Sequence, residues 1–83
     1  MTPVRIPPTL RPETGGKREV EADGATVGEL LEDLTSRFPG LGNQLQYANV
    51  YLDGEDVRTL DGEDTPVSTG STVILLPAMA GGA

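Results

Sequence analysis

The segment Ala78-Met79-Ala80-Gly81-Gly82-Ala83 carries no charged side chain and, Met79 apart, no large one. Gly81 and Gly82 lack a Cβ, so the backbone there is thin and can lie fully extended. A tail of that shape can enter a narrow channel in another protein and bring its terminal carboxylate to a buried active site. By itself a Gly-Gly end is more often a frayed terminus, so its meaning depends on what precedes it. The remaining reactive groups are few. The 83 residues include no cysteine and no histidine, leaving thirteen acidic side chains, hydroxyls, Lys17 and five arginines.

These absences exclude whole classes of chemistry. Without thiolates there is no disulfide scaffold and no iron–sulfur cluster. Without imidazole the commonest general base and the commonest zinc ligand are gone. The clusters Asp53/Glu55/Asp56 and Asp61/Glu63/Asp64 lack calcium-loop spacing with its closing Glu. They read as solvated hairpin acids, and no metal is expected. The chain is therefore expected not to be an enzyme. Its net charge of −7 argues against nucleic acid, whose binding rests on Lys and Arg neutralising phosphates. The acidity reads either as solubility or as steering toward a basic partner surface. A membrane span needs about 20 apolar residues. The longest apolar stretch here is Val73 to Ala80, interrupted by Pro77. The start, MTPVRIPPTL, has no signal-peptide pattern, so cytoplasm is the expected location.

The elements that would hold the tail are legible from periodicity. Residues 3–11 alternate, with Val4, Ile6, Pro8 and Leu10 on one side. That predicts a strand, bulged or unpaired on one side because of its prolines. Residues 13–17 read as a turn, and residues 18–22 (REVEA) as the returning strand of a hairpin. Thr26 and Glu29 form an S/T-x-x-E capping box. After it, Val27, Leu30, Leu31, Leu34 and Phe38 make one helical stripe, with Asp33 and Arg37 as an i,i+4 ion pair. Pro39-Gly40 stops the helix, and residues 41–47 read as a helical turn and loop. Asn49 to Leu52 is a strand, Asp53-Gly54 a hairpin turn, and residues 55–58 its return. Residues 60–71 are a loop with at most one turn of helix. Thr72 to Leu76 (TVILL) suits a central strand paired on both edges, ended by Pro77.

The order β-β-α-β-β-β predicts an α+β, two-layer domain with one main helix on one face of a mixed sheet. This matches a β-grasp roll in which the last strand is central and lies beside the first. Residues 1–77 form that domain, and residues 78–83 are a flexible tail.

With this setting the tail becomes specific. LPAMAGG, residues 76–82, resembles the C-terminus of the ubiquitin-like sulfur carriers. That family includes the small subunit of molybdopterin synthase, the thiamin-pathway carrier and the actinobacterial carrier for cysteine synthesis. RIPPTLRPETGG (5–16) and NVYLDGEDVR (49–58) resemble the cysteine-synthesis branch, and the likeness spans nearly the whole chain. The resemblance implies that an E1-like enzyme, consuming ATP, adenylates the carboxylate of Gly82. Sulfur then replaces AMP to give a thiocarboxylate that serves an acceptor enzyme. The chain itself binds no cofactor. Ala80, Gly81 and Gly82 would enter the activating enzyme. The acceptor implied for the cysteine branch is a PLP-dependent synthase.

Mature members of that family end at the second glycine, whereas Ala83 follows it here. Either Ala83 is removed by a JAMM-type zinc metalloprotease, the favoured reading because such proteases accompany this branch, or it is a cloning residue. Pro7, Val57 and Leu76 are expected on the sheet face away from the helix, where with Met79 they would dock partners. A ubiquitin-like modifier joined through Gly82 to target lysines is the alternative, since it needs the same tail and activating enzyme.

Overall fold

The computed structural model describes residues 1–45 and 48–77. Its sheet grows from short alternating segments. β1 (Thr2–Arg5) and β2 (Glu19–Ala22) pair antiparallel, with Val4 opposite Val20 and Arg5 opposite Glu19. β3 (Ala48–Leu52) turns through Asp53-Gly54 into β4 (Glu55–Asp56). Both turn residues have positive φ, 50° at Asp53 and 89° at Gly54. Such a turn matches the right-handed twist of a hairpin, and Asp-Gly tolerates it best. β5 (Val73–Pro77) enters the middle, parallel to β1 and antiparallel to β3. The order is β2-β1-β5-β3-β4. The expected central last strand beside the first is thus present.

Helix α1 (Val27–Arg37) covers one face of the sheet. The Glu29 N–H donates to Thr26 Oγ1 at 3.2 Å, and Glu29 Oε1 accepts from the Ala25 N–H at 2.7 Å. The return bond of the capping box therefore reaches one residue beyond the cap. Thr26→Ala is expected to lower unfolding free energy by about 1 kcal/mol, measurable by urea denaturation. Val27, Leu30 and Leu34 are buried, and Leu31 and Phe38 pack against the same core. From the sheet, Val4, Val20, Ala22, Leu52, Val73 and Leu75 meet them. Gly24, in the link from β2 to α1, lies so close to the helix that a Cβ would approach the Leu30 amide nitrogen to 2.8 Å.

The predicted pair Asp33–Arg37 forms at 2.9 Å. It also closes the outer edge of β2: Arg37 Nη2 donates to the Glu21 carbonyl at 2.6 Å, and Asp33 Oδ2 accepts from the Asp23 N–H at 2.9 Å. An open edge would invite pairing with another chain. Here one ion pair occupies two of its outward groups.

Three local expectations change. The strand read over 3–11 ends at Arg5. The Ile6 N–H still donates to Arg18, but the Pro7 carbonyl accepts from Leu10 in a turn, and a 3-10 turn follows at Arg11–Thr14. Two adjacent prolines supply no N–H to extend the ladder. A second helix, α2 (Pro39–Leu45), follows α1 at once and buries Leu41. Pro39 begins it because a first-turn N–H has no helical partner to lose. Finally, β4 is only two residues long, and Val57–Thr59 turns in 3-10 conformation.

Candidate functional site

The tail leaves from a strand held on both sides. Ala48 is opposite Pro77 and Asn49 opposite Leu76 on the β3 side, while β1 flanks the start of β5, with Val4 beside Val73 and Arg5 beside Ile74. The residue before the tail is thus fixed by the sheet itself. Met79, Ala80, Gly81, Gly82 and Ala83 lie outside the described residues.

Side chains alternate along β5. Val73 and Leu75 are fully buried toward α1, whereas Ile74 is half-buried and Leu76 is 43% exposed on the opposite face. Ala48 and Val50 pack inward, so Asn49 and Tyr51 share the outer face with Ile74 and Leu76. Of the residues expected on that face, Leu76 is there. Val57 is not: it is 6% exposed and belongs to the core. The chain leaves the strand at Asp56, and the 3-10 turn swings Val57 inward. Pro7 is also buried, because the chain turns at that point instead of continuing as a strand. Ile74 and Tyr51 were not named for this face; Arg5, which alternates with the buried Val4 and Ile6, lies there too. The period-2 alternation of β3 and β5 carried the signal, but only the pairing register shows which phase is outward.

The charged groups are mostly solvated. Besides the Asp33–Arg37 pair, the exposed Arg58 lies across Asp56 with Nη2 to Oδ2 at 2.7 Å and its backbone N–H to Oδ1 at 2.9 Å. The side-chain hydrogen bond from Arg58, then the backbone one, holds the Asp56 carboxyl below its ordinary value. A depressed folded-state pKa contributes stability above the ordinary carboxylate range, and this is lost as pH falls through the depressed value. In Arg58→Gln the Asp56 midpoint, followed by carboxyl-carbon NMR, is expected to rise toward the ordinary value. An unmoved midpoint would refute the assignment.

Among the described residues no group of three or more acidic side chains could hold a metal ion. A groove between α1 and β3, lined by Val27, Leu31, Leu45, Val50 and Val57, is apolar, with Arg58 and Glu63 also on its wall. It gathers no acid–base pair. Pro77, the last described residue, is held by its pairing with Ala48.

Residues 4–82 match the ThiS family. The chain belongs to the ThiS family. This ThiS-family chain is 38% identical to the sulfur carrier protein CysO of Mycobacterium tuberculosis, over an 89-residue alignment covering 95% of this chain and 96% of that protein. It is 36% identical to small archaeal modifier protein 3 of Haloferax volcanii over 67 residues, covering 72% and 73%. In structure it is similar to a chain of the Amycolatopsis orientalis BexX/CysO complex, with a TM-score of 0.88, 42% identity and coverage of 98% and 99%. The ThiS-family fold is the β-grasp roll expected from the element order. Its named relatives are carriers and a modifier rather than catalysts. No helix among the described residues is long and apolar enough to cross a membrane.

Proposed function

We propose that this chain is a sulfur carrier whose cargo rides on the terminal carbon of Gly82. The observation that carries the reading is the family match, which runs through Gly81 and Gly82 and stops before Ala83. The relatives named as sulfur carriers support it. Residues 1–77 serve as the head and residues 78–83 as the tail.

The chemistry follows from the poor reactivity of a carboxylate. Its charge repels nucleophiles, and oxide is a bad leaving group. An E1-like partner uses ATP to join the Gly82 carboxylate to AMP, releasing pyrophosphate. Sulfide, or a persulfide with subsequent reduction, displaces AMP and leaves a thiocarboxylate. Sulfur is the better nucleophile at neutral pH, as thiolates are relative to alkoxides. A PLP-dependent cysteine synthase, or another sulfur-acceptor enzyme, then takes the sulfur. In this reading Ala83 is removed first, by a JAMM-type metalloprotease, and the cycle runs in the cytoplasm. Ile74, Tyr51 and Leu76 give the head an apolar face beside the tail on which such partners dock.

The similarity to an archaeal modifier protein favours one second reading, conjugation of Gly82 to target lysines. Intact-mass analysis of the chain recovered from its native cells separates the two. A species with one oxygen exchanged for sulfur, without lysine conjugates, supports the carrier. Conjugates without thiocarboxylate would overturn it.

A further inference from the structure

The net charge of −7 is unevenly spread. Residues 1–18 hold four of the six basic side chains and only one of the thirteen acidic ones. The strand register shows where that segment lies. β1 runs parallel to β5, with Arg5 beside Ile74. β1 thus ends level with Ile74, three residues before Pro77, and the loop into β2 continues toward the end of the sheet where the tail begins. The Ile6 N–H donates to the Arg18 carbonyl at 2.8 Å. With Arg5 beside Ile74, Ile6 is level with Leu75, so Arg18 lies across β1 from the middle of β5, roughly 10 Å away at two strand spacings.

The loop is also held in shape. Arg11 Nε donates to the Ile6 carbonyl at 3.2 Å. The buried Thr14 hydroxyl lies 3.1 Å from the carbonyls of both Arg11 and Lys17. Arg5, Lys17 and Arg18 are exposed. Among the described residues the ion pairs engage Arg37 and Arg58 and none of Arg5, Arg11, Lys17 and Arg18. The nearby acids are Glu13, in the same loop, and Glu19, across from Arg5.

The opposite end of the sheet is acidic. Asp53 bonds Thr72 just before β5 begins, and Asp61, Glu63 and Asp64 surround a turn beside the start of α1. The molecule is therefore polarised along its strands.

We propose that Arg5, Arg11, Lys17 and Arg18 form a cationic collar at the base of the tail. It docks on enzymes whose tail entrance is rimmed with carboxylates. This deepens, and rests on, the reading of the tail as the working group. An extended segment from Pro77 to Gly82 reaches up to about 17 Å. The collar therefore meets the protein surface around the entrance, not the nucleotide at the tail's tip. The polarity also selects orientation. A carboxylate rim attracts the collar and repels the acidic end, so the carrier arrives tail first. A partner attracted to the overall negative charge would require the opposite surface.

The test uses the chain ending at Gly82, its activating enzyme, ATP and sulfide. Lys17→Glu/Arg18→Glu is expected to lower kcat/KM for thiocarboxylate formation about tenfold, through KM, with rising salt shrinking the difference. Lys17→Arg/Arg18→Lys should retain wild-type values, and Asp61→Lys/Asp64→Lys at the far end should change little. Circular dichroism confirms folding of each variant. Unchanged or faster charging of the Lys17/Arg18 reversal overturns the collar while leaving the tail reading intact. If the wild-type chain is not charged at all, the tail reading falls and the collar falls with it.

Discussion

The chain ending at Gly82 is expected to accept sulfur, and the chain ending at Ala83 to accept essentially none. Two physical effects act together. An added residue moves the carboxylate up to about 3.5 Å further along an extended backbone. Misplacing a reacting group by about 1 Å already costs on the order of 100-fold in rate. Ala83 also places a Cβ beside the reacting carbon, where Gly82 has only hydrogen. The two chains share every residue of the described core, so both should fold with equal stability. Purified separately and incubated with the activating enzyme, ATP and sulfide, they are compared by intact mass. Oxygen-for-sulfur exchange should appear only on the shorter chain. Sulfur forming at a similar rate on Ala83 would remove the need for trimming and sink this prediction.

The second large effect concerns two adjacent leucines. Leu75→Ala should lower unfolding free energy by about 3 kcal/mol, whereas Leu76→Ala should change it by less than about 0.5 kcal/mol. Leu75 is 1% exposed among the side chains beneath α1, and its neighbour is 43% exposed on the other face. Removing Leu75 loses apolar burial and leaves a cavity in the central strand. A domain this small typically has only about 5–8 kcal/mol in total, so the loss is a large fraction of its stability. Guanidinium unfolding of both variants checks the contrast. Equal losses at the two positions would mean that β5 is not phased as described. Leu76→Ala carries a functional expectation as well. If the outer face docks partners, it should weaken charging through KM while leaving stability intact.

Leu76 faces outward, as expected from the sequence, and the tertiary structure supplies the reason. TVILL announces a buried strand, but a continuous apolar run has no phase. Which leucine faces α1 depends on the register with β1 and β3. The same limit explains Val57. Its placement in an outward return strand assumed that alternation continues past Asp56, yet the chain tightens into a 3-10 turn there and the side chain joins the core. Pro39 misled in the other direction. It ends α1 as expected, but it also starts α2, because proline is harmless at a first helical position.

Signals confined to a few neighbouring residues were decisive without the structure. The Thr26–Glu29 cap, the Val27–Leu34 stripe, the Asp33–Arg37 pair and the Asp53-Gly54 turn each depend on side chains within about one helical turn or one hairpin, and each is present. The composition acted in the same local way. With no cysteine or histidine, attention falls on the main-chain end at Gly82. What the tertiary structure alone decided is non-local. The parallel pairing of β1 with β5 sets Arg5 beside Ile74 and sends the loop that carries Arg11 and Lys17 toward the end of the sheet where the tail begins. In the proposed reading, an acidic chain thereby presents a basic surface to the partners that receive its tail. Net charge is a sum and carries no direction; the fold supplies the direction by fixing which strand ends lie together.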